Sequence, residues 1–204
     1  MKNILLIITI LLSTTVFAEK AALRIIYEDG IEYTANYEKD SKVIILVSKG
    51  NLRLKYLKEI QGLEQFEHLT NFCMYFFQYK GDYSFLKNIK NLKNLGLMGC
   101  GAESLNFISD LELLEDVELE LSFEKDILEN IEKTVVDLSK LKNIKKITID
   151  NRMTHIPPFI NVKNKPILLL DTTKIKKINK KDYKYAKQYS KVKSLNPNPD
   201  WPFN

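Results

Sequence analysis

Six apolar positions return at a fixed interval, and that recurrence restricts this chain more than any other feature of it. Phe85, Ile89, Leu92, Leu95, Leu97 and Cys100 recur, each at the same offset, as Phe107, Leu111, Leu114, Val117, Leu119 and Ser122. The period is about 22 residues, a length at which each repeat is a single supersecondary unit. Going upstream by that period plus one position gives Phe66, Leu69, Phe72, Met74 and Phe77 in the same frame. Leu141, Ile144, Ile147 and Ile149 keep the internal spacing of Leu111, Leu114, Val117 and Leu119 after a longer interval, so an insertion is placed near 123–136. Leu168 and Leu170, followed by Ile175 and Ile178, read as a last, degraded copy. Apolar groups three positions apart lie on one side of a short helix or 3-10 turn, whereas the closing step of two is strand alternation. Each copy therefore reads as a helical turn, a bend and a short strand. Such a unit cannot bury its apolar face alone, and stacking copies is what stabilises it.

The segments Leu92-x2-Leu95-x-Leu97-x2-Cys100 and Leu114-x2-Val117-x-Leu119, with Ile60-Gln61-Gly62-Leu63-Glu64 leading to Leu69-Thr70-Asn71-Phe72, resemble the leucine-rich repeat family, in its bacterial, internalin-like form. The resemblance covers residues 52–178. Cys100 and Ser122 stand where the family usually has Asn. It implies an α/β fold: a short solenoid with a parallel concave sheet. It also implies protein binding on that concave face. The strand positions between the buried apolar pairs would supply the face. These are Asn71, Cys73 and Tyr75; Asn94, Gly96 and Met98; Asp116, Glu118 and Glu120; and Lys146, Thr148 and Asp150. Three carboxylates on one strand, in a chain of net charge +5, are not required by packing and suit a basic protein partner. A solvated strand face is the competing reading.

The remainder divides around the repeats. Met1-Lys2-Asn3, an apolar run from Ile4 to Leu12, and Val16-Phe17-Ala18 have the pattern of a secretory signal peptide over 1–18. The run is shorter than the ~20 residues that span a bilayer. No later segment reaches that length, so the mature chain is expected to be exported, to the periplasm, cell surface or medium. Residues 19–50 read as an N-terminal antiparallel β cap. In it Leu23–Tyr27 and Ile31–Tyr37 flank the turn Glu28-Asp29-Gly30, and Val43–Val47 is a third strand. The repeats take 51–180, and Phe123–Val136 reads as a longer helix on the convex side. Residues 181–204 read as a basic C-terminal tail, within which Tyr183–Ser194 is either a short helix or part of the tail, and Trp201 and Phe203 pack on the final repeat.

Charge is segregated. Asp110 to Glu132 holds ten acids and one Lys, and Lys174 to Lys193 holds nine Lys and one acid, Asp182. The lysines Lys177, Lys180, Lys181, Lys184 and Lys187, with tyrosines interleaved, form an alternative site for a polyanion or an anionic surface. Arg is confined to Arg24, Arg53 and Arg152, which argues against a dedicated phosphate or nucleic-acid reader. Export permits one disulfide, but Cys73 falls on the outer strand face and Cys100 inside the next bend. Bridged Cβ atoms must lie within about 4.5 Å, so two free thiols are expected. Neither His68 nor His155 has a nucleophile or carboxylate at motif spacing. The sequence has no H-E-x-x-H, no Walker loop, no C-x-x-C and no calcium loop. The expectation is a binding protein without cofactor or metal, and not an enzyme. Adhesion and inhibition of a secreted enzyme would use the same face.

Overall fold

The computed structural model describes residues 19–122, 134–150, 155–173, 175 and 179–195. The expected signal peptide over 1–18, residues 123–133 of the helix expected over Phe123–Val136, Ile178, and Trp201 with Phe203 lie outside the described residues, while Val136 at the end of that expected helix is in a strand instead.

The chain is α/β and strand-rich, built on two principal sheets. Strands β1 (Lys20–Tyr27) and β2 (Glu32–Glu38) form the expected antiparallel hairpin, in register from Lys20↔Glu38 to Ile26↔Glu32. Its turn is closed by Gly30 N–H donating to Tyr27 O, and by Ile31 N–H donating to the Asp29 carboxylate. Gly30 sits at φ +82, a left-handed conformation suited to glycine. β4 (Tyr56–Gln61) runs antiparallel to β1 on its other side, and β6 (Gln78–Tyr79) pairs in parallel with β4. The first sheet thus has the order β2-β1-β4-β6 and draws two strands from the region expected to hold repeats.

The second sheet has seven strands, all parallel and stacked in chain order. They are β3 (Val43–Val47), β5 (Asn71–Tyr75), β7 (Asn94–Gly101), β8 (Asp116–Ser122), β10 (Lys146–Ile149), β12 (Ile167–Leu170) and β13 (Lys191–Ser194). β3, expected in the N-terminal cap, is instead the first strand of this sheet. Ile44 and Leu46 point into the common core, and Lys42 O accepts from the backbone N–H groups of Thr70 and Asn71. The same strand entry recurs down the sheet. Thr70 O accepts from Lys93 and Asn94, Lys93 O from Glu115 and Asp116, and Glu115 O from Lys145 and Lys146.

Short 3-10 turns at Leu63–Gln65, Ser84–Asn88 and Asn106–Asp110 precede β5, β7 and β8 and bury Leu63, Phe85 with Leu86, and Phe107 with Ile108. Beyond the insertion, β9 (Val136–Asp137) and β11 (Phe159–Ile160) make a separate two-stranded parallel pair. The core lies between the strands' inner faces and these turns. It runs unbroken from Leu23 through Phe72, Leu95, Leu119, Ile147 and Leu168 to Val192.

Through residue 195 the C-terminal segment is a short helix, one of its two expected forms, followed by a strand, and not a free tail. Helix α1 (Lys180–Ala186) opens with a capping box: Asn179 accepts from the N–H groups of Lys181 and Asp182, and Asp182 accepts from Asn179 N–H. The buried Asp182 carboxylate also accepts from Ile156 N–H at 2.9 Å, tying the helix to the preceding loop. Ala186, Tyr189 and Val192 are buried, and β13 closes the sheet. The abundance of lysine in this segment reflects its outer face only.

Candidate interaction face

Strand alternation sends one set of side chains in each parallel strand to the core and the other outward. In-register pairing then lines the outward residues into rows across the sheet. One row reads Val43, Asn71, Asn94, Asp116, Lys146, Ile167, Lys191. The next reads Ile45, Cys73, Gly96, Glu118, Thr148, Leu169, Lys193, and a third reads Val47, Tyr75, Met98, Glu120.

Eleven of the twelve positions expected on the face therefore fall in these rows, and Asp150 lies just past the end of β10; they are not equally available. Asn94, Glu118, Glu120 and Asp150 are exposed, and Tyr75, Met98, Asp116 and Lys146 are half-buried. Thr148 is only 5% exposed, packed between Glu118 and Leu169 of its own row, and offers little to a partner. Asp116 and Lys146 pair with each other at 3.0 Å across adjacent strands. Asn94 Nδ2 donates to Asn71 Oδ1 at 2.6 Å in the same row.

Of the described acids of the middle segment, Asp110, Glu115 and Asp116 are matched in this way. Asp110 bridges Lys87 at 2.9 Å and Lys140 at 3.3 Å. Glu115 lies between Lys93, at 3.0 Å, and Lys145, and hydrogen bonds from Lys145 and then Lys93 hold its carboxyl below the ordinary range. Glu118 and Glu120 differ. Both are exposed, and among the described residues neither takes part in an ion pair or hydrogen bond. They project from the same face of β8 on either side of Leu119, about 7 Å apart. The strand of three carboxylates is thus one compensated and two uncompensated charges.

The lysines of the alternative site divide likewise. Lys177 lies outside the described residues. Lys180 and Lys184 on α1, and Lys187 at its C-cap, are exposed at helical spacing, with Lys181 exposed beside them.

The outward face also carries residues that sequence reasoning did not assign to it. Val43, Ile45 and Val47 are 48%, 50% and 41% exposed, and Phe76, just after β5, is 41% exposed. Apolar character at every position of Val43–Val47 reads as a strand covered on both faces. Only the register reveals that one side is open.

Cys73 and Cys100 are both free thiols on opposite sides of the sheet. Cys73 is half-buried on the outward face; a β-carbon built on its neighbour Gly96 would lie 3.0 Å from the Cys73 sulfur. Burial, and then the Glu118 charge, raise its pKa. Cys100 is fully buried, its thiol 3.4 Å from Met74 O, and burial pushes its pKa up to about 11. At pH 8 its thiolate fraction is then on the order of one in a thousand, and thiolate is the reacting form. Iodoacetamide on the native chain is expected to add one group, slowly, at Cys73. A second adduct at Cys100 should follow only on denaturation. Intact mass before and after urea checks this, and two rapid native adducts would contradict the placement of Cys100.

Among the described residues no group of three His, Cys, Asp or Glu side chains is placed to hold a metal ion, and no helix is long and apolar enough to cross a membrane. His155 Nδ1 lies 3.3 Å from the Asp182 carboxylate and 3.3 Å from Asn179 Nδ2, so it sits at the helix cap and not on the sheet face. No protein-family model matches this chain, and no curated protein does.

Proposed function

We propose that the chain is an exported leucine-rich-repeat protein that binds a protein partner through the outward, concave face of its parallel sheet, and that it is not an enzyme. The repeat reading is supported by strand registers that follow the sequence offsets, Asn71↔Asn94↔Asp116↔Lys146, and by a 3-10 turn ahead of β5, β7 and β8. The observation that carries the functional reading is the isolation of Glu118 and Glu120. Asp110, Glu115 and Asp116 are matched by lysines of adjoining turns and strands, whereas Glu118 and Glu120 stand exposed and unmatched among the described residues on the sheet face. Complementary charge at such a site favours a basic partner and raises its association rate.

The test is affinity capture from envelope and medium extracts with residues 19–204, beside the Glu118→Lys/Glu120→Lys variant. A protein captured by the native chain and lost with the folded variant is the expected result. Capture that survives charge reversal contradicts the reading.

The second reading is polyanion or anionic-surface binding, favoured by the exposed ridge of Lys180, Lys184 and Lys187 on α1 and its C-cap. It predicts heparin retention that falls steeply with salt and is lost when those lysines, with Lys181, are changed to Gln.

A further inference from the structure

The outward face is not uniformly polar. At its β3 edge the rows begin with Val43, Ile45 and Val47, and the third row continues through Tyr75 and Met98 before reaching Glu120. Phe76 extends this apolar area and is held there against its backbone preference. It has φ +62, a left-handed conformation that is rare for an aromatic residue. A β-carbon built on Gly99 would lie 2.7 Å from Phe76 Cδ1, so the ring rests where only glycine fits. Gly99 lies at the register irregularity between Met98 and Cys100, itself at φ +62. The Arg53 guanidinium sits 4.2 Å from the centroid of the Phe76 ring, anchored by its Nε–H to Ser48 O at 2.9 Å. Tyr75 is 6.2 Å from Phe76, ring to ring. A bulge, a glycine, a cation and a strained backbone thus fix an aromatic ring that remains exposed. Local strain of this kind persists where surrounding structure enforces it, commonly at binding sites. Exposed apolar groups collected on one face mark an interaction surface.

What lies beside the patch sets the chemistry of its occupant. Strands stand about 4.8 Å apart, so the unmatched carboxylates of β8 are about 10 Å from β5 and about 14 Å from β3. We propose that the partner presents an apolar-plus-basic segment. Its apolar side chain would cover Val47, Tyr75 and Phe76, and its Lys or Arg, about three or four extended residues away, would meet Glu118 and Glu120. The proposal rests on the reading of this face as a protein-binding surface and adds the apolar half of the ligand to it.

The probe is a fluorescent peptide of three Leu-Ser-Ser-Lys units, with two controls: Ser in place of every Leu, and Gln in place of every Lys. Anisotropy titrations use residues 19–204, the strand-compatible variant Ile45→Thr/Phe76→Asn, and Glu118→Gln/Glu120→Gln. Asn tolerates the left-handed conformation at 76, and unchanged circular dichroism verifies folding. The Leu/Lys peptide is expected to bind about tenfold more tightly than either control, as for truncation of an interface anchor. Ile45→Thr/Phe76→Asn should reduce it to the level of the Ser/Lys control. Binding no tighter than that control, or unchanged by Ile45→Thr/Phe76→Asn, overturns the proposal. Loss with Glu118→Gln/Glu120→Gln alone would overturn the apolar half and leave the acidic face standing, whereas insensitivity to both variants overturns both. Self-association of the native chain in sedimentation, abolished by Ile45→Thr/Phe76→Asn, would make a second copy the occupant and also overturn it.

Discussion

Gly101→Ala is expected to destabilise the protein by about 3 kcal/mol, a large effect for one methyl group. Gly101 ends β7 at the place where the two sheets touch. A β-carbon there would lie 2.4 Å from Tyr79 O and 2.8 Å from Tyr79 N, both backbone atoms that cannot turn away. Its own N–H donates to Phe77 O, and its carbonyl accepts the hydroxyl of the fully buried Tyr83. Relieving the clash would move β6 off β4 and disturb the ring cluster of Tyr79, Tyr83, Phe85 and Phe107. Gly30→Ala is the control. Gly30 has nothing near it, so the substitution carries only the left-handed backbone cost of about 1–2 kcal/mol. Urea midpoints at constant slope compare the two. Equal shifts would mean that β6 and β7 are not in contact at Gly101.

Deleting the chain from Lys180 onward is expected to cost on the order of 5 kcal/mol, because it removes the buried Tyr189, Val192 and Ala186 and uncovers Leu168 and Leu170 beneath β13. That approaches the whole stability of an ordinary domain, about 5–15 kcal/mol, so the shortened chain should be largely unfolded at physiological temperature. Changing Lys180, Lys181, Lys184 and Lys187 to Gln should leave the melting temperature nearly unchanged, since all four are exposed. Thermal unfolding by circular dichroism separates the cases. A truncated chain that melts like the native one would show that α1 and β13 are appendages. The contrast also decides how the lysine ridge can be tested: by charge, not by deletion.

The parts of the fold legible in the sequence are those encoded by one-sided burial. Leu92, Leu95, Leu97 and their counterparts in the next copy are buried as the recurrence requires, and Asp29-Gly30 closes the hairpin. Strand pairing is less legible, because it joins residues far apart in the chain. Val43 meets Asn71, and Ile25 meets Ile60, while the local composition of Val43–Val47 and Tyr56–Gln61 says only that they are extended. The C-terminal segment leaves helix and tail undecided for a compositional reason. Nine lysines outweigh Ala186, Tyr189 and Val192, whose steps of three mark a buried side. For the candidate site, the registers bring the spaced positions of β5, β7 and β8 side by side in rows. Spacing does not reveal that Lys146 neutralises Asp116, nor that Thr148 is covered, since both depend on what stands one strand away. The aromatic platform at Phe76 has no signal in spacing, for it arises from a left-handed residue meeting a glycine bulge.

Carboxyl footprinting of the captured complex tests the central claim most directly. Residues 19–204, alone and partner-bound, are labelled with carbodiimide and glycine ethyl ester, and adducts are located by peptide mass. The account predicts that Glu118 and Glu120 are labelled readily in the free chain and protected in the complex, while the exposed Glu103 and Glu112 react equally in both. Full labelling of Glu118 and Glu120 in the complex would contradict it and place the binding site elsewhere.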